Sequence, residues 1–244
     1  MDASFFKAGK EWRAATETNR TSKVLFVKTG LLTSDLESNR LFAAMDHGMW
    51  LPAHIPQSLR VSRDCSGWLV QPSQSLSAAL PATAYSFKYS PLLRELADRM
   101  SAWGASQEAE SRNHLICELF IEELRATPQA QCLLPWPGTS LLVVTKALER
   151  SNGSASLAEL CSVAEMSKRT LTRRFRAETG LSIGQWRQRL RIWKAMRLLS
   201  QGRSVIATAL ELRFESPSSF AKSFRSSVGR SPTEYVRTPK SRDA

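Results

Sequence analysis

Two stretches of this chain copy one another, and a copied stretch has to fold into the same unit twice. SLAELCSVAEM (Ser156 to Met166) aligns with SVIATALELRF (Ser204 to Phe214) at an offset of 48. After a one-residue insertion, SKRTLTRRFRAETGLSIGQW (Ser167 to Trp186) aligns with SPSSFAKSFRSSVGRSPTEY (Ser216 to Tyr235) at an offset of 49. Leu171 then falls on Phe220, Phe175 on Phe224, Arg176 on Arg225, Gly180 on Gly229, Ser182 on Ser231 and Trp186 on Tyr235. In each copy a serine opens a short apolar-faced helix, a tight turn follows, and a second serine, Ser167 or Ser216, caps another helix. That order predicts a helix-turn-helix in each copy.

The surface chemistry of the second helix points to a polyanion. In copy one, Leu171 and Phe175 lie at i, i+4 and face inward, which leaves Lys168, Arg169, Thr172, Arg173 and Arg176 on the remaining surface. A polar, cationic helix face of this width fits a major groove. Copy two offers Ser218, Ala221, Lys222 and Arg225 at the matching positions, a less cationic face, so copy one is expected to carry more of the base readout. Between the copies, Ile183 to Ser200 reads as one helix of about 27 Å, a strut that could hold two reading helices in successive grooves about 34 Å apart. Its Arg187, Arg189, Arg191 and Arg197 read as solvated surface with phosphate contact as the alternative, and Leu190, Trp193 and Leu198 as core.

Charge is divided accordingly. Met1 to Pro137 holds 14 Lys and Arg against 14 Asp and Glu, whereas Gly138 to Ala244 holds 20 against 8, the whole net excess of +12. A neutral part followed by a basic part suits one domain that meets nucleic acid and another that meets something else.

The first part reads differently. Val24 to Gly30, Arg40 to His54 and Ser58 to Ser62 are short β-favouring runs punctuated by turn residues, which suggests a small barrel or sandwich. Ser90 to Trp103 opens with a serine cap and a proline, and it sets Leu92, Leu93, Leu96 and Met100 on one helical face. Ser111 to Ala126 repeats Leu115, Ile116, Leu119, Phe120, Ile121 and Leu124 at helical intervals, as core or as a dimer seam. Thr127 to Gly138, with three prolines, reads as a linker. The expected fold is therefore α+β: residues 1-86 as a small β-barrel, 87-137 as a helical linker region, and 138-244 as an all-α domain of two helix-turn-helix units joined by a long helix.

With these residues set out, Ser156 to Arg237 resembles the DNA-binding domain of the AraC/XylS transcription regulators, through both copies, their spacing and the closing RSPTEYVR (Arg230 to Arg237). The resemblance implies base readout by Arg169, Thr172 and Arg173 in one copy and by Pro217, Ser218, Ala221 and Lys222 in the other. The full DNA-binding set is thus Lys168, Arg169, Thr172, Arg173, Arg176, Ser216, Pro217, Ser218, Ala221, Lys222 and Arg225. The chain departs from that family in both turns, where Glu165 and Arg213 stand in place of the usual glycine. The N-terminal segment resembles, more distantly, the cupin-like effector domain of one subgroup, through GMWLPAHIPQSLRV (Gly48 to Val61) and through SPLLREL (Ser90 to Leu96) opening the linker helices, with Gln57 where a histidine is common. That resemblance implies control of a nearby transporter or metabolic gene.

Three function classes follow. The first is a sequence-specific regulator, activator or repressor, acting on double-stranded DNA. Its further partners would be a second copy as homodimer, a small-molecule effector, and RNA polymerase if it activates. Phe26, Trp50 and Trp68 are the candidate lining of an effector pocket, with barrel core as the plainer reading. The second class, a cupin-type metal enzyme, needs two or three histidines on facing strands, and His47, His54 and His114 do not provide them; no catalytic residues, metal or cofactor are expected. The third is an architectural or effector-independent DNA binder whose cupin-like part serves only dimerisation. Cys65, Cys117, Cys132 and Cys161 form no CxxC pair and read as reduced. No apolar run of about 18 residues occurs, so no membrane partner and a cytoplasmic, nucleoid-associated location are expected.

Overall fold

The computed structural model describes residues 1–103, 110–130 and 132–237; the end of the expected C-terminal domain, 238–244, lies outside the described residues. The chain divides into two compact units, one of residues 1–37 and 41–133, the other of residues 38–40 and 134–244.

Unit one is built on two sheets. The first has the order β1-β9-β4-β7-β10, with β1 Asp2–Lys7, β4 Lys23–Thr29, β7 His47–Leu51, β9 Ser66–Gln71 and β10 Tyr85–Lys88. The second has the order β11-β6-β5-β8-β2, with β2 Trp12–Arg13, β5 Leu31–Leu36, β6 Asn39–Ala44, β8 Pro56–Val61 and β11 Leu133–Pro135; β3 Glu17–Thr18 also pairs with β8. Side chains alternate across a strand, and β4 shows what that alternation achieves. Leu25 and Val27 join Leu32, Leu41, Met49 and Val61 in one core cluster, which draws on both sheets. Val24 and Phe26 face the other way, into a second cluster with Trp50, Trp68, Phe87 and the buried residues of two helices, α2 Pro91–Ser101 and α3 Glu110–Ala126. The β-barrel expected from the sequence is thus a pair of sheets with helices covering the outer face of one. A short helix, α1 Gln74–Ser77, lies between β9 and β10.

The segment 87-137, read from the sequence as a linker region, puts α2 and α3 into the packing of unit one. Ser90 caps α2 by accepting from the Leu93 N–H, and Pro91 stands in its first turn. Leu93, Leu96 and Met100 are buried, but Leu92, placed on the same face by its spacing, is exposed. On α3 the apolar residues split: Phe120, Ile121 and Leu124 are buried, whereas Leu115 and Leu119 are 66% and 44% exposed.

Unit two is helical: α4 Leu142–Arg150, α5 Leu157–Ala164, α6 Lys168–Thr179, α7 Ile183–Ser200, α8 Val205–Glu211, α9 Pro217–Val228 and α10 Pro232–Arg237, with a 3₁₀ turn at Thr139–Leu141 before α4. Serines start six of these helices. Ser156, Ser167, Ser182, Ser204, Ser216 and Ser231 each accept a backbone N–H three residues on, which satisfies donors a helix start would otherwise leave open.

The repeat holds in three dimensions. Leu171, Phe175 and Trp186 are buried in copy one, as are Phe220, Phe224 and Tyr235 in copy two. Phe175 meets Trp186 edge to face at 6.2 Å, and Phe224 meets Tyr235 in the same way at 5.5 Å. Gly180 and Gly229 end α6 and α9 in the left-handed region, at φ 70° and 80°. Each copy therefore carries its own caps and its own aromatic core.

Candidate nucleic-acid interface

Each copy presents its second helix with one face buried and one open. On α6 only Leu171, Phe175 and Thr179 are buried, and Lys168, Arg169, Thr172, Arg173 and Arg176 are all exposed. These five lie at i, i+1, i+4, i+5 and i+8, one face of a helix. None of the four cations has a hydrogen bond, ion pair or ring contact among the described residues. Thr172 differs, because its hydroxyl donates to the Lys168 and Arg169 carbonyls at 2.8 and 3.2 Å. With the donor occupied, its methyl group and one acceptor site are what it offers outward.

On α9, Pro217, Ser218, Lys222 and Arg225 are exposed and Ala221 is partly buried. Ser216, expected from the sequence as a contact residue, also caps α9. Its side chain accepts from the Ser219 N–H at 3.1 Å, and the Ser219 hydroxyl accepts from the Ser216 N–H at 3.2 Å. This capping box uses the Ser216 side-chain oxygen to start the helix. Arg225 lies near Glu234, whose pKa is held below the ordinary carboxylate value first by hydrogen bonds from Ser231 and further by Arg225 and Arg230.

The basic residues of α7 have a different role. Arg187 donates to the Ala155 carbonyl at 2.6 Å, and Arg191 donates to Asn152 and Gly153 carbonyls at 3.4 and 3.2 Å. Lys194 donates to the Glu149 carbonyl and, at 2.5 Å, to Asn152 Oδ1. The Glu149, Asn152 and Gly153 groups lie at or just past the C-terminal end of α4, where open carbonyls and the helix dipole favour cations. Burial lowers the pKa of Arg191, the Arg187 charge adding to it, and burial lowers that of Lys194 against the pull of Glu149. Arg187 and Arg191, read from the sequence as solvated or phosphate-facing, are instead bound to the chain's own backbone. The sequence held one signal for this, Asn152 and Gly153 directly after α4, a turn pair that leaves carbonyls open. Leu190, Trp193 and Leu198 are buried.

One cation of α6 also belongs to the fold. Arg174 donates to Ser140 Oγ at 2.9 Å and to Glu178 at 3.4 Å, while the other Glu178 oxygen accepts from the Gly138 N–H at 2.9 Å. The structure thus separates the uncommitted cations of α6 from the committed ones beside them.

Both turns take the conformation glycine would favour. Glu165 adopts φ 52° and Arg213 φ 54°, so the departures from the family pattern change the residue and leave the left-handed turn in place. A side chain there typically costs about 1 kcal/mol.

In unit one, Phe26, Trp50 and Trp68 come together on the helix-facing side of the first sheet, all buried. Phe26 packs edge to face against Phe87, Tyr89 and Phe120. Trp50 Nε1 donates to the Pro81 carbonyl at 2.7 Å and Trp68 Nε1 to Asp98 at 2.9 Å. Their neighbours are core side chains. No group of three or more His, Cys, Asp or Glu that could hold a metal occurs among the described residues. His47 is buried on β7, His54 stands in a loop at φ 63°, and His114 pairs with Glu118 on α3. Gln57 accepts from Ser34 Oγ at 3.1 Å. No helix among the described residues is long and apolar enough to cross a membrane.

A family model described as "Helix-turn-helix domain" matches residues 160–238. The chain is 27% identical over 231 residues to the HTH-type transcriptional regulator NimR of Escherichia coli (strain K12), covering 93% of this chain and 83% of that protein. It is 25% identical over 195 residues to the HTH-type transcriptional activator RhaR of Shigella dysenteriae serotype 1, covering 75% of this chain and 66% of that protein. Among solved structures, the DNA-binding domain of AdpA, a global transcriptional factor, in complex with a target DNA is 38% identical. That match covers 38% of this chain and 86% of that one, with a TM-score of 0.36.

Proposed function

We propose that the chain is a helix-turn-helix transcription regulator of the AraC/XylS type that binds double-stranded DNA, with α6 its principal base-reading helix and α9 its second. The single observation that carries this reading is the state of the α6 cations: Lys168, Arg169, Arg173 and Arg176 are exposed and uncommitted, whereas Arg174, Arg187, Arg191 and Lys194 are held by the fold. Arginine forks suit the O6 and N7 acceptors of guanine. Thr172, its hydroxyl bound to the helix, offers a methyl group that suits thymine. Lys168 and Arg176, at the ends of the face, suit phosphates, which position without reading sequence. On α9, Pro217, Ser218, Ala221 and Lys222 read the second groove, with Arg225 toward the backbone.

In the same proposal the DNA-binding domain is 138-244, the chain has no catalytic role, and it works in the cytoplasm. Unit one supplies homodimerisation, a reading supported by the exposed i, i+4 pair Leu115 and Leu119 on α3; the alternative use, effector sensing at Phe26, Trp50 and Trp68, requires that packed cluster to open. RNA polymerase is the further partner if the chain activates.

The test is selection of duplexes from a random pool by the full chain at fixed salt, followed by competition with random DNA. A recovered consensus bound at least about 10³-fold more tightly than random DNA supports the reading. Equal affinity for all duplexes would return the chain to the architectural class.

A further inference from the structure

Each copy has its own core and caps, yet a set of polar contacts ties one copy to the other. Asn152, in the loop between α4 and α5, sits at its centre in the left-handed region at φ 54°. Its Nδ2 donates to the carbonyl of Glu211, the last residue of α8, at 3.3 Å. Its Oδ1 accepts from Lys194 of α7 at 2.5 Å, and its carbonyl accepts from Arg191 at 3.4 Å. Asn152, ahead of copy one, is thereby bonded to the connecting helix and to the first helix of copy two.

The surrounding residues extend the tie. Lys194 also donates to the Glu149 carbonyl at the end of α4. The Arg191 guanidinium lies over the Phe214 ring at 5.6 Å, and Phe214 packs on Phe220 of α9 at 5.0 Å. Gln188 of α7 donates to Ser223 of α9. The loop lies hard against α7, since a Cβ on Gly153 would come within 2.9 Å of Arg187 Cγ.

We infer that Asn152, Arg191 and Lys194 are positioning residues that fix the separation and angle of the two reading helices, so that the protein accepts one spacing between its two DNA elements. The inference rests on the proposal that α6 and α9 both read DNA. Its physical basis is simple: one added base pair displaces a half-site by about 3.4 Å and turns it by about 34°. A jointed reader absorbs such a change by bending, and a clamped one does not.

The test uses the full chain, its selected duplex, the same duplex with one base pair inserted between the two elements, and a duplex holding the α6 element alone. Asn152→Gly keeps the left-handed backbone without a side chain, and Lys194→Met keeps the apolar stem without the ammonium; Lys194→Arg is the conservative control. The wild-type chain should bind the inserted duplex at least tenfold more weakly than the parent. Asn152→Gly and Lys194→Met should bring that ratio close to one, leave binding to the single element unchanged, and lose about tenfold on the parent, while Lys194→Arg keeps the wild-type ratio. An unchanged spacing ratio in both variants would overturn the inference, and so would a parallel loss on the single element, which marks a merely structural role. Selection of a duplex in which only the α6 element carries sequence preference would instead overturn the two-reader proposal, and the inference with it.

Discussion

Arg173 and Arg174 are neighbours in sequence with opposite commitments, and substituting each by alanine separates reading from folding. Arg173 is exposed and has no partner among the described residues, so its removal should leave stability nearly unchanged. A bidentate arginine–base contact contributes about 1 to 3 kcal/mol of discrimination, which is about 5-fold to about 160-fold in affinity for the preferred duplex. Arg174 binds Ser140 and Glu178, and its Glu178 pair is 41% and 27% exposed. An i, i+4 pair of that exposure contributes about 0.3 to 0.5 kcal/mol. Arg174→Ala should therefore cost a few tenths of a kcal/mol of stability by that reckoning and leave base preference alone. The assay is fluorescence anisotropy at one salt concentration with the selected duplex and its single-base variants. If Arg174→Ala alters the preference at a base pair and Arg173→Ala alters none, the assignment of reading and fold-holding cations is refuted.

Three further outcomes test the fold beneath the interface. Gly67→Ala would place a Cβ 1.8 Å from the Phe26 carbonyl oxygen across β4 and β9, so unit one should fail to fold cooperatively; a native-like melting transition of that unit would contradict the register. Glu165→Gly should relieve a left-handed side chain and stabilise unit two by up to about 1 kcal/mol, read as a rise in Tm, and a lower Tm would count against strain at that turn. Glu159 accepts from the Ser156 N–H at 2.6 Å, and this bond holds its pKa below the ordinary 4.5. A depressed carboxylate stabilises the fold above its unfolded pKa and loses that contribution as pH falls through the lower folded value. The Tm difference between wild type and Glu159→Gln should thus shrink as pH drops below 4.5, and a difference that is constant with pH would contradict the capping bond.

What the sequence made legible was local or repeated. Ser156, Ser167, Ser204 and Ser216 announce helix starts because the cap bond spans only three residues. Leu171 and Phe175 show their face by spacing, and the second copy confirms it with Phe220 and Phe224. Distant relations were not legible. The binding of Arg187, Arg191 and Lys194 to carbonyls around residues 149–155 depends on where α4 ends beside α7, which no periodicity encodes. Leu115 and Leu119 share helical spacing with Phe120 and Leu124, yet one pair is open and the other buried, because only the cover of the first sheet decides which stripe faces it. β1, β5, β9 and β10 were likewise hidden, their pairing resting on partners such as Phe5 with Trp68, far apart in the chain. The capping role of Ser216 and a contact role look alike in sequence.

Methylation protection at guanine N7 on the selected duplex probes the major groove directly, and it bears on whether two copies read one DNA face. Two protected patches about 10 base pairs apart are expected, the first lost in Arg173→Ala and the second in Lys222→Ala. A single patch, or two patches that both variants leave intact, would contradict it.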